Sequence, residues 1–251
     1  MKYLVMIARN EGDEPLKTAE SMRPYVDGIV CVDDGGNNTF PSDAIIIKNK
    51  INLGVGKSRR EAVRVAFENG AKKIILSDAH CRYISGDMDR AWKLTDQYIL
   101  CPASRNINKH RIGCGARLRI KRNANWTKGC EGQEVILMGG VYLMNIITAL
   151  QIIFPTTSHG YNEEIMSCSA VLLNHTIYAM PDLVFSHLYR KQAPYSISAA
   201  GQNNNLNILK HVFFNEGTCI LNDEQKEFVG YLNKFKKNNV EEYLNKHGMV
   251  K

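Results

Sequence analysis

Asp78, Ala79 and His80 follow the short apolar run at residues 74–76, setting a carboxylate and an imidazole two residues apart beyond a buried strand. That pairing suits a divalent cation. In open α/β sheets, ligands bind outside the carboxyl ends of strands, so a nucleotide held there could share a cation with Asp78 and His80. Alone, the triplet reads better as a capping aspartate and a surface histidine. A third candidate ligand, His187, favours the metal.

The elements that position these groups begin with residues 3–8. They are apolar throughout, as in a parallel strand covered on both faces, and end in Ala8, Arg9, Asn10 and Glu11. Pro15 suits a first helical turn, and Leu16, Ala19 and Met22 give a helical stripe that Pro24 stops. Residues 28–32 form a second strand, closed by the polar, glycine-rich turn Asp33-Asp34-Gly35-Gly36. Residues 44–48 read as a short third strand. Two strand-helix units in succession imply a doubly wound sheet.

Asn52-Leu53-Gly54-Val55-Gly56-Lys57-Ser58-Arg59 opens the next helix, and basic residues at a helix N-terminus suit phosphate. The spacing matches neither a Walker loop nor the dinucleotide fingerprint. A helix at residues 87–95 and a strand at 98–101, stopped by Pro102, come next. Residues 116–120 alternate like an exposed strand. Gly139 and Gly140 allow close approach to the backbone, and Asn162, Glu163 and Glu164 stand at the start of a helix. Residues 177–180 resemble a strand. Phe228, Tyr231, Leu232 and Phe235 mark an amphipathic helix near the C-terminus.

With 251 residues and 44% hydrophobic content, the chain can build one sizeable core. One catalytic domain at 1–220 with a helical appendage at 221–251 is the economical division. Seven cysteines without a Cys-x-x-Cys pair argue against a disulfide framework, and most read as reduced core thiols. No apolar run has the length of a membrane span and no signal peptide is evident, so the expected location is the cytoplasm. The net charge of +7 is uneven. The segment 105–128 carries Arg105, Lys109, Arg111, Arg117, Arg119, Lys121, Arg122 and Lys128 with no acid among them. Such lopsidedness implies a polyanionic partner.

In this order the pieces resemble nucleotide-sugar transferases of the GT-A fold, family 2-like, and above all the catalytic domain of the polypeptide N-acetylgalactosaminyltransferases. Ser77-Asp78-Ala79-His80-Cys81 resembles that family's L-D-S-H-C. Met138-Gly139-Gly140 resembles its A-G-G, and Asn162-Glu163-Glu164 its N-L-E. His187-Leu188-Tyr189-Arg190-Lys191-Gln192-Ala193-Pro194-Tyr195 resembles its G-H-V-F-R-K-x-x-P-Y signature.

The resemblance implies an α/β, Rossmann-like, mostly parallel sheet with helices on both faces, and a metal-dependent transfer from a UDP-sugar to a hydroxyl. It implies Mn²⁺, or Mg²⁺, on Asp78, His80 and His187. Ala8, Arg9, Asn10, Glu11, Asp33 and Asp34 would hold the nucleoside, and Gly54 and Ser77 would line the donor site. Lys57, Arg59, Arg190 and Tyr195 would stabilise the diphosphate. Gly139, Gly140, Asn162 and Glu164 would line the sugar pocket. Asn162 replaces the carboxylate base of inverting relatives, which implies retention of configuration, with Glu163 the alternative base.

The acceptor surface departs from the family. Arg117 to Arg122 replace its aromatic and acidic strand, and Ser158 stands where its flexible loop has tryptophan. Three function classes follow. One is sugar transfer to a hydroxymethylated base in nucleic acid, similar to phage DNA modification; another is the same transfer to a protein or glycan hydroxyl; the third is non-catalytic nucleotide-sugar binding. The basic segment favours the first.

Overall fold

In the computed structural model, described for residues 1–106, 111–114, 140–152, 154 and 162–188, both faces of the first strand are covered. β1 (Lys2–Ala8) sends Tyr3 and Val5 into one apolar cluster and Leu4 and Met6 into the other. Alternation of side chains across the pleat produces that division. β1 pairs in parallel with β2 (Gly28–Asp33) and with β4 (Lys73–Asp78), and β2 pairs in parallel with β3 (Ile45–Lys48).

Helices close both faces, as expected. α1 (Glu14–Met22) and α3 (Met88–Leu94) bring Ala19, Met22, Ala91 and Trp92 against Leu4 and Ile75. α2 (Val55–Glu68), α4 (Ile146–Gln151) and α5 (Asn162–Leu172) bring Ala62, Ala66, Ala149 and Met166 against Val5 and Leu76. Two short helices are capped from their own sequence: Asp87 accepts from the Arg90 amide at 2.8 Å, and Asn145 from the Ile147 amide at 2.7 Å.

Beyond β4 the sheet changes character. β5 (Cys81–Ser85), β6 (Tyr98–Asn106), β7 (Arg111–Cys114), β8 (Val141–Asn145) and β9 (Thr176–His187) complete it. The order is β3-β2-β1-β4-β8-β6-β9-β5, with β7 paired to β6. β8 runs antiparallel to β4 and β6, β6 is parallel to β9, and β5 is antiparallel to β9.

Three expectations are corrected. The strand at 98–101 continues through Pro102 as β6, because the ladder with β9 breaks its register at that point, where a proline's missing N–H is tolerated. β5 and α4 were not foreseen. Residues 141–150 are mostly apolar across a strand and a helix, and periodicity cannot divide such a stretch. The strand at 177–180 extends to His187. The exposed strand expected at 116–120, the helix at 228–235 and the appendage at 221–251 lie outside the described residues. Among the described residues, no helix is long and apolar enough to cross a membrane.

Candidate metal centre

The Asp78-Ala79-His80 triplet and His187 are joined by the pairing of β5 with β9. Cys81 is the Cα partner of His187, and the Leu188 amide donates to the His80 carbonyl at 3.2 Å. β4 delivers Asp78 from the opposite side. Donor atoms of Asp78, His80, Cys81 and His187 consequently lie within 4.8 Å of one another. The two imidazoles meet edge-on, their centroids 4.7 Å apart. One carboxylate and two imidazoles are a mixed oxygen and nitrogen set for a divalent transition metal such as Mn²⁺, and the thiol adds a softer donor.

Two members of this cluster are held from behind. Arg59 of α2 is 3% exposed and donates from Nη2 to Asp78 Oδ1 at 2.8 Å. Burial acts to raise the Asp78 pKa, but Arg59 and then the two histidines outweigh it and hold the carboxyl below its ordinary value. It is therefore an anion at neutral pH. Burial and the neighbouring His80 lower the His187 pKa, which leaves a neutral imidazole lone pair for a cation. The Glu11 carboxylate, 5% exposed, stands 3.4 Å from His80 Nδ1. A carboxylate behind a ligating histidine fixes the ring and its tautomer.

α1 braces the loop between β4 and β5. Thr18 Oγ1 donates to the Ala79 carbonyl at 2.8 Å, the Tyr83 amide donates to Ser21 Oγ at 3.1 Å, and Glu14 pairs with Arg82. Gly140 shapes the other wall. Its φ is +75°, and a Cβ there would lie 2.5 Å from Asp78 Oδ2 and 3.3 Å from Cys81 Sγ. The Asp78 amide donates to the Gly140 carbonyl at 2.8 Å, so backbone and carboxylate both require this close approach.

The remaining expected residues divide. Ala8, Arg9 and Asn10 lie at the β1 end, where the Gly12 amide donates to the Asn37 carbonyl at 2.9 Å and ties this loop to the one after β2. Asp33 accepts from Asn38 at 2.7 Å. The buried Asp34 carboxylate is taken up inside the protein: it accepts from Asn49 and the Leu53 amide, both at 2.9 Å, and from the Gly54 amide at 3.2 Å. It shapes the approach to α2. Lys57 is exposed on that helix, while Ser77 is buried and donates to the Asp78 carbonyl. Asn162, Glu163 and Glu164 open α5. Glu163 accepts from the fully buried Tyr142 hydroxyl at 3.4 Å. Gly139, Arg190, Tyr195 and most of the basic segment lie outside the described residues. His175 is held by Gln151 at 3.0 Å.

Sequence reasoning did not place Cys81 in the acid-imidazole cluster or Glu11 beside His80. Position 81 belongs to the quoted Ser-Asp-Ala-His-Cys motif, which was the available signal. Glu11 had none, because its distance from His80 is set by the parallel register of β1 on β4.

Parallel strands from β3 to β4, a mixed half beyond them and an acid-imidazole cluster at the strand ends make this a GT-A fold, that of nucleotide-sugar transferase domains. A solved structure of GalNAc-T7 with UDP, GalNAc and Mn²⁺ superposes with TM-score 0.60 at 16% identity. It matches 99% of this chain and 55% of that one, so the chain spans about half of that protein. S. aureus TarS 1-349 in complex with UDP-GlcNAc gives TM-score 0.60 at 14% identity, covering 91% of this chain and 70% of that one. No protein-family model and no curated protein sequence matches the chain.

Proposed function

We propose that the protein is a metal-dependent glycosyltransferase that moves a sugar from a UDP-sugar to a hydroxyl acceptor. The observation that carries this reading is the convergence of Asp78, His80 and His187 beyond the carboxyl end of β4, in a fold shared with proteins solved with UDP, UDP-GlcNAc and Mn²⁺. Asp78, His80 and His187 would hold Mn²⁺, which would supply charge compensation for the departing UDP. Arg59 keeps the Asp78 carboxylate ionised and aimed, and Glu11 orients His80. Arg9, Asn10 and Asp33 stand at strand ends where a nucleoside would bind, and Arg190 and Tyr195, outside the described residues, are assigned to the diphosphate by the motif they belong to.

Transfer proceeds with retention in this reading. The acceptor oxygen bonds to the anomeric carbon on the face UDP leaves, the carbon–oxygen bond to UDP breaks, and the departing phosphate oxygen takes the hydroxyl proton. Asn162, at the start of α5, positions the sugar. Glu163 is engaged by Tyr142, which supports a mechanism without a protein base. The acceptor we propose is a hydroxymethylated base in DNA, gripped through the basic segment 105–128 and made reachable by flipping or local opening.

The test incubates the full chain with Mn²⁺, a panel of UDP-sugars, and hydroxymethylated DNA beside peptide and glycan acceptors. Expected are UDP release that chelator abolishes, product on DNA, and an α-linked anomeric proton by NMR. Turnover undiminished in excess chelator removes the metal role. Product on peptide or glycan alone replaces the DNA acceptor, a β-linkage removes retention, and binding without any transfer leaves a nucleotide-sugar binding protein.

A further inference from the structure

A cation site built only for oxygen and nitrogen donors has no need of a thiol, yet Cys81 belongs to this cluster. Its Sγ lies within 4.8 Å of the donor atoms of Asp78, His80 and His187, and the residue is fully buried. Its place is fixed twice. Cys81 is the Cα partner of His187, and Gly140 leaves room for its sulfur as well as for Asp78. Cys31 and Cys101 are buried in the two apolar clusters and belong to no group of metal-ligating side chains among the described residues.

We propose that Asp78, His80, Cys81 and His187 form a four-donor site for a thiophilic divalent cation of the Zn²⁺ class, which competes with Mn²⁺. The competition rests on the transferase reading above; the four-donor site does not. One sulfur, two imidazole nitrogens and one carboxylate oxygen are a tetrahedral zinc set, with bonds of roughly 2.0–2.3 Å. Bonds of that length put neighbouring donors about 3.5 Å apart, so closing the cluster takes side-chain adjustments of about 1 Å. The ion takes the place of the thiol proton, which leaves to solvent. Mn²⁺ prefers oxygen, leaves the thiol protonated and keeps positions open for diphosphate, whereas a four-coordinate zinc site of protein donors is closed.

X-ray absorption of the zinc-loaded full-length protein is expected to show one sulfur at about 2.3 Å beside nitrogen and oxygen. Co²⁺ added to the metal-free protein is expected to give a near-ultraviolet thiolate-to-cobalt band and intense tetrahedral visible bands. Cys81→Ser, and Cys81→Ala should the serine variant fold poorly, should lose the sulfur shell and the charge-transfer band. Either should weaken Zn²⁺ about tenfold or more against a competing chelator while shifting Mn²⁺ by less than about twofold. A zinc spectrum without sulfur, or a charge-transfer band that survives both substitutions, overturns the proposal. Absence of sugar transfer with every donor would sink the functional reading and leave the sulfur shell standing, so the two failures are distinguishable.

Discussion

The two halves of the sheet reach order by different means. From β3 to β4, parallel strands alternate with helices, and the loops at their carboxyl ends are closed by their own side chains: Asp34 on residues 49–54, Asn38 on Asp33 and on the Glu11 amide. From β8 to β5 the order comes from long-range register. Ser186 Oγ donates to the Arg82 carbonyl from 104 residues away, and that ladder sets His187 beside Cys81. Local closure suffices for the parallel half, but the acid-imidazole cluster draws residues from both halves. Arg59 fastens the halves together. From α2 it holds Asp78 of β4 and lies 3.7 Å from Met166 Sδ of α5.

Removing that fastener should have the largest effect. Arg59→Met leaves Asp78 without its cation and should cost about 3 kcal/mol in urea unfolding, because breaking one side of a buried pair strands the other charge. Metal affinity should fall with it; a variant as stable as the parent would mean that the halves are joined elsewhere. Gly140→Ala comes next, at about 2 kcal/mol, since it combines an unfavourable φ with a methyl against Asp78. Calorimetry with Mn²⁺ should record weakened binding, and unchanged affinity would show that the wall yields.

Asp34→Ala attacks the parallel half alone. It should cost about 1–2 kcal/mol, because it strips acceptors from the Leu53 and Gly54 amides, while metal affinity stays as it was. If it weakens Mn²⁺ as much as Gly140→Ala does, the division between halves fails. Arg64→Ala should have the smallest effect. It removes an exposed pair with Glu68 one turn along α2 and should change stability by no more than about 0.5 kcal/mol. A larger loss would mean that α2 contributes through its surface as well as its buried face.

The parallel half was largely legible from sequence because its strands are continuous apolar runs bounded by turn residues, and its helices carry clear stripes. Asp78, His80 and His187 were legible as candidate ligands from residue type. Their meeting depends on β5, a five-residue strand that residue pattern did not distinguish from the loop before α3. Arg59 was legible as a basic group at the start of a phosphate-friendly helix, and Asp34 as a nucleoside candidate closing the second strand. Their partners were not, because Asp78 and the 53–54 amides reach them only through tertiary packing. Glu163 was read as a possible base; its bond with Tyr142 depends on tertiary packing that brings the start of α5 to β8, which no spacing in the sequence encodes.

The interrupted register of β9 has a consequence for how the gene tolerates insertions. Met180 faces Pro102 and Val184 faces Ala103, so Pro181, Asp182 and Leu183 have no counterparts on β6. Gly86 backs this segment, where a Cβ would stand 2.6 Å from the Asp182 carbonyl. The strand is thus phased twice, once before the interruption and again from Val184 onward. A residue inserted at the exposed Asp182 lengthens the unmatched stretch and leaves His187 opposite Cys81. The same insertion between Phe185 and His187 turns the imidazole to the other face of the sheet, because side chains alternate with every residue. Length variation in descendants of this sequence should collect on the near side of Val184 and stop there.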